Sequence, residues 1–130
     1  MSDRQSPGGS PADIARRLIE ASFSNDPEAA VACCTPDLEL RTEAIQTVHG
    51  HDGLRQVIQF NTEVSTNISV KIHHVLSSGD TAAISRTTYL TIGGKDIALE
   101  VGAFFEFENG LVRRWTDYQD MRIVTEALGH

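Results

Sequence analysis

The chain has 130 residues, 40% of them hydrophobic and 22% charged, with 18 acidic against 11 basic side chains and a net charge of −7. That is the composition of one globular domain, too short for two cores and too apolar for a disordered segment. No apolar run approaches the ~20 residues of a membrane-spanning helix, and no basic stripe exists for phosphates, so neither membrane nor nucleic acid is an expected partner.

The opening MSDRQSPGGSPAD lacks a signal-peptide core, which predicts a cytoplasmic protein with a flexible lead over residues 1–11 and a single domain over 12–130. From Asp13 to Ser24, Ile14, Leu18, Ile19 and Phe23 recur at helical spacing opposite Arg16, Arg17 and Glu20, predicting an amphipathic helix. Asp26 is a good N-cap and Pro27 suits a first turn, so a second short helix is expected through about Cys34. Cys33 and Cys34, side by side on that helix, point about 100° apart and neither close a disulfide nor share a metal; they read as small core residues in a reducing compartment. Thr35-Pro36-Asp37 stops the helix. Leu38 to Thr42 alternates as a strand, Thr47 to Gly50 is its return partner, and a third helix opens near Asp52 with Leu54, Val57, Ile58 and Asn61 on one side.

From Ile68 the period changes to two. Ile68–Leu76, Thr81–Ile92, Ile97–Phe107 and Leu111–Met121 read as four strands, separated by turn signals that end in Glu108-Asn109-Gly110. Helices first and strands last predict an α+β fold, a curved antiparallel sheet wrapped over the helices as a cone-shaped barrel that encloses a pocket. The last strand carries Arg113, Trp115, Asp117 and Gln119 on one face by parity. Of the other candidate groups, His73 and His74 are strand neighbours expected to face opposite sides. His49 and His51 flank Gly50 without a third ligand, and no metal site is expected. Glu43 reads as a solvated loop carboxylate, and Asp120 as a solvated strand end.

The order Phe105-x-Phe107-x-Asn109-Gly110-Leu111-Val112-x-x-Trp115-x-Asp117-Tyr118 resembles the closing hairpin of the nuclear-transport-factor-2-like (cystatin-like) superfamily, especially its SnoaL-like and limonene-epoxide-hydrolase-like branches. Ser24-Asn25-Asp26 and Gly50-His51-Asp52-Gly53 extend the resemblance over nearly all of residues 12 to 122. In the epoxide hydrolases of this superfamily an arginine sits between two aspartates, one activating water and one protonating the epoxide oxygen. Read by sequence order, Arg86 matches the arginine and Asp117 the water-activating aspartate; the proton donor falls at Thr88, and a tyrosine and an asparagine that hold the water fall near Leu40 and Thr42. A threonine hydroxyl is no general acid near neutral pH. The ketosteroid-isomerase pattern fails as well, its base falling near Thr42, its first-helix tyrosine near Leu18 and its proton-sharing aspartate near Ala103.

SnoaL-like cyclases need one positioned carboxylate and a shaped pocket. The resemblance therefore implies a cofactor-free cyclase or isomerase for an apolar, polyketide- or terpenoid-like small molecule. Asp117 would be its base and Arg86 the oxyanion partner, with Trp115, Thr88, Ala103, Phe105, Leu40 and Leu18 around the substrate. Epoxide hydrolysis and a ligand-binding domain without chemistry stand as alternatives. Ala103 and Phe105 turned inward would leave Phe104, and Tyr89 with it, on the convex face through which the superfamily commonly dimerises, so a homodimer is expected.

Overall fold

Ser10 starts the first helix: its hydroxyl accepts from the Asp13 amide while the Asp13 carboxylate accepts from the Ser10 amide, so two orphan N–H groups are satisfied reciprocally. The computed structural model describes residues 9–42 and 46–120, together with Arg122 and Glu126. Within these, α1 spans Pro11–Ser22 and buries Ile14, Ala15, Leu18 and Ile19 along one stripe. It opens two residues before the expected Asp13, because the cap and Pro11 decide the start. Asp26 accepts from the Ala29 amide and caps α2, Pro27–Val31.

The second helix was expected to reach Cys34, yet it stops at Val31. The Cys33 carbonyl accepts from the Val112 amide at 2.8 Å, and Cys34 is already the first residue of β1, Cys34–Thr42. A sheet partner remote in sequence outcompetes the local helical preference. Both thiols are buried, and burial raises the pKa of each above that of a free cysteine.

β2, Gln46–His49, returns beside β1 with Leu40 opposite Val48. Glu43, between them, lies outside the described residues. Helix α3, Gly50–Val64, buries Gly53, Leu54 and Ile58, and the His51 ring lies 3.0 Å from the Cys34 carbonyl oxygen, tying the helix start to β1. The four long strands follow as β3 (Thr66–Ser78), β4 (Thr81–Ile92), β5 (Lys95–Glu108) and β6 (Leu111–Gln119). Asn109 and Gly110, at φ of 54° and 82°, form the tight turn between β5 and β6.

The strands form one curved six-stranded sheet in the order β2-β1-β6-β5-β4-β3. Its pairings are antiparallel except one. β1 and β6 run parallel, Leu40 beside Trp115 and Thr42 beside Asp117, within the otherwise antiparallel curved sheet. These two strands are not joined by a hairpin, so no turn dictates their relative direction. Helix α1 lies against β3 and β4, and α3 against β1. Along β5, Ile97, Leu99, Val101, Ala103, Phe105 and Phe107 point inward and are buried, while Phe104 is exposed. Among the described residues no helix is long and apolar enough to cross a membrane.

Two bulges overturn parity arguments. Pairing jumps from Glu106 opposite Arg114 to Phe107 opposite Val112, so Arg113 is an extra residue. It does not share the face of Trp115; it is exposed, 3.6 Å from Asp37 and 3.7 Å from Glu108. On β3 the pairing jumps from Ile72 opposite Arg86 to His74 opposite Ser85, leaving His73 as the extra residue. His73 and His74 are both exposed and both lie on the convex side, His73 with its ring nitrogen 2.7 Å from the Thr87 hydroxyl. They do not face opposite sides, as regular alternation would require.

Candidate functional site

Between α3 and the concave face lies a cavity of about 690 Å³. Phe23 at the end of α1, Leu54, Val57 and Ile58 on α3, and Leu90 and Leu99 on the sheet give it an apolar wall. Among the polar residues that line it, Arg86, Thr88, Trp115 and Asp117 are brought together by β4 and β6 at the surface of the cavity.

Arg86 and Asp117 are not opposite each other. Across β5, Arg86 faces Val101 and Asp117 faces Ala103, so the arginine side chain reaches diagonally to its partner. Arg86 donates from Nη2 to Asp117 Oδ2 at 2.8 Å and from Nη1 to Oδ1 at 3.3 Å. The indole Nε1 of Trp115 donates to Oδ1 at 2.6 Å, and Arg86 Nε donates to the Thr88 hydroxyl at 3.1 Å. The Phe23 ring covers one face of the guanidinium, its centroid 4.9 Å from Cζ. Arg86 is 2% exposed and Asp117 7%. A fork-to-fork pair with further hydrogen bonds at Nε and Oδ1 is the form in which two charges tolerate burial. It also leaves chemical capacity, because Oδ2 has room for another donor and one hydrogen on each Nη is not directed at Asp117.

Strand parity placed Asp117 and Trp115 on the cavity side, and Leu40 and Thr88 also line the cavity. Leu18, Ala103 and Phe105 do not. They are buried in the core, at 0%, 1% and 0% exposure, with the Phe105 ring tilted against the Trp115 indole, the ring centroids 5.6 Å apart. They hold up the site from beneath, because the sheet curves tightly enough for α1 to fill that part of the cone. Phe23 was read only as part of a helical stripe; its place over Arg86 has no local signal, since it depends on how α1 crosses β4. The α3 residues Leu54, Val57 and Ile58 form a helix face that packs into the core and also borders the cavity, and no spacing rule says which part of such a face meets a sheet and which meets a cavity.

Asp120 lies beyond the site, where hydrogen bonds from Arg122 hold its carboxyl down to about 2. Among the described residues no group of three or more His, Cys, Asp or Glu is arranged to hold a metal ion.

A family model described as a SnoaL-like domain matches residues 15–115. No curated protein matches the sequence. Among solved structures, an NTF2-like protein of Burkholderia thailandensis is similar with a TM-score of 0.85 at 22% identity, over 95% of this chain and 100% of that one. An LEH-like epoxide hydrolase of M. tuberculosis is similar with a TM-score of 0.77 at 21% identity, over 91% and 88% of the two chains. A SnoaL-like polyketide cyclase of Shewanella denitrificans, named as putative, is similar with a TM-score of 0.79 at 16% identity, over 91% and 96%. Likeness at these identities establishes the fold.

Proposed function

The chain belongs to the SnoaL-like family, and on that premise we propose that it is a cofactor-independent acid–base enzyme, a cyclase or isomerase acting on an apolar polyketide- or terpenoid-like molecule. The observation that carries this reading is the buried Arg86–Asp117 pair at the surface of a mostly apolar cavity of about 690 Å³, a volume suited to a small-molecule ligand. Asp117 Oδ2 takes a proton from a carbon next to a substrate carbonyl. The C–H electron pair becomes the enolate, whose negative oxygen accepts from the outer Nη hydrogens of Arg86. Return of the proton to another atom isomerises the substrate, and attack of the enolate carbon on a second carbonyl closes a ring, with the oxygen of that second carbonyl taking the proton back from Asp117. A positioned general base contributes about 10²–10⁴-fold, and a donor aimed at the developing oxyanion a similar factor.

Epoxide opening ranks second. It wants an acid opposite the base, and that position holds Thr88, whose oxygen is occupied by Arg86 Nε. The test is exchange of acidic C–H protons in D2O, followed by NMR, over a panel of uncharged aromatic β-diketones. Catalysed exchange that disappears in Asp117→Asn while binding persists supports the enzyme. Binding without exchange in the wild-type protein makes it a carrier, and label from ¹⁸O-water appearing in a diol makes it an epoxide hydrolase.

The reading includes a homodimer through the convex face, supported by exposed Leu76, Phe104 and Tyr118, the last two in edge-to-face contact at 5.9 Å. Phe104→Lys is expected to convert a dimer to a monomer in light scattering; a wild-type monomer refutes this part.

A further inference from the structure

The ionisable side chains among the described lining residues are Arg86, Asp117 and Glu63, one cation against two acidic groups. The cation is already committed. Its fork edge is on Asp117, its Nε is on Thr88, and its face is under Phe23. An anionic ligand reaching the polar end of this cavity has to share Arg86 with a carboxylate 2.8 Å away, in surroundings where like charges repel strongly. A neutral oxygen acceptor meets no such opposition and finds the outer Nη hydrogens.

We propose that Asp117 determines ligand charge as well as proton transfer: it is the built-in counter-anion of Arg86, and the cavity selects molecules that are uncharged on binding and rejects carboxylates, sulfonates and phosphates of the same shape. The inference rests on the cavity being the ligand site, as argued above. It narrows the substrate class to neutral carbon acids. It also accounts for the pairing itself, because the cavity's charge stays constant through the proton transfer. Before the step the partner of Arg86 is Asp117; after it, Asp117 carries the proton and is neutral, and the negative charge sits on the substrate oxygen. One cation serves one anion at a time, so no new charge is buried as the reaction proceeds.

Two fluorescent probes with the same ring skeleton test this. N-phenyl-1-naphthylamine is neutral, and 1-anilinonaphthalene-8-sulfonate adds a sulfonate. In 0.15 M salt the wild-type protein is expected to bind the neutral probe more tightly by roughly tenfold or more, a factor worth ~1.4 kcal/mol. Asp117→Asn frees Arg86 and is expected to raise sulfonate affinity by about the same factor while neutral-probe affinity holds within about threefold. Displacement of the neutral probe from the wild-type protein by methyl 1-naphthoate, compared with 1-naphthoate, reads the same selectivity without any variant, and decides the matter if Asp117→Asn does not fold. Equal binding of charged and neutral partners, or a ratio unmoved in a folded Asp117→Asn, overturns the inference and leaves the cavity reading in place. Failure of the neutral probe to bind, or binding that survives Val57→Trp unchanged, overturns the cavity reading instead, and this inference with it.

Discussion

Replacing Arg86 by methionine removes one partner of an ion pair whose side chains are 1% and 10% exposed. The carboxylate of Asp117 is then left in the same buried position with, among the described residues, the Trp115 indole as its remaining donor, at 2.6 Å. Breaking a buried pair from one side costs about 3–5 kcal/mol, against a total stability of roughly 5–15 kcal/mol for a domain of this size. The double variant Arg86→Met/Asp117→Leu removes both charges together. Its remaining debits are the orphaned Trp115 N–H, about 1–3 kcal/mol, and the lost contact of Phe23 with the guanidinium, about 1 kcal/mol. Apolar packing and relief of two desolvated charges offset these, so the double variant is expected within about 2 kcal/mol of wild type. Urea denaturation followed by tryptophan fluorescence and circular dichroism measures the cycle. The single variant should lower the midpoint by roughly 2 M at an unchanged slope, and the double should recover most of that. A single-variant cost under about 1 kcal/mol, or a double-variant loss equal to the sum of the two single replacements, refutes the claim that the charges are buried and coupled.

Burial raises both thiols, so Cys33 and Cys34 are expected to react with an aromatic disulfide reagent at pH 8 only as fast as the protein opens, with the rate climbing through the urea transition; a fast native-state reaction refutes this. Asp120, held at about 2 by Arg122, is ionised near pH 4 when unfolded, so its stabilisation is full above that pH and is lost as pH falls through about 2. The melting-temperature difference between wild type and Asp120→Asn should therefore be small at pH 7, close between about pH 4 and pH 2, and shrink in high salt, since the pair is exposed; a gap that widens in acid contradicts the assignment. Gly110→Ala puts a side chain at φ 82° in the β5–β6 turn and should cost about 1–2 kcal/mol in urea, whereas the same change at Gly102, whose added carbon meets nothing within 4 Å, should be much milder.

Periodicity and turn chemistry carry the architecture because they are local. Alternation from Ile68 onward, the Asn109-Gly110 turn and the stripe on α1 each follow from the two- or near-four-residue repeat by which one face is buried. The same repeat shows that Trp115 and Asp117 share a side. It failed at Arg113 and His73, because a bulge adds a residue whenever the curved sheet needs one, and the need is set by the closure of the whole cone and not by the residues at that point. It failed at Cys34 for a related reason, since the strand begins where Val112 lies.

The sequence by itself determined the order of the elements and, away from the two bulges, which residues face inward, including one arginine and one aspartate on inward faces of β4 and β6. Only the tertiary structure decided that these two meet across β5, with Phe23 above and Trp115 and Thr88 alongside. It also decided that Leu18, Ala103 and Phe105 fill the core beneath the site, while the buried Leu54 and Ile58 and the half-buried Val57 border the cavity. The physical reason is that facing inward is a property of a single strand or helix, whereas the distance between two inward faces depends on sheet curvature and helix placement, to which every packed residue contributes.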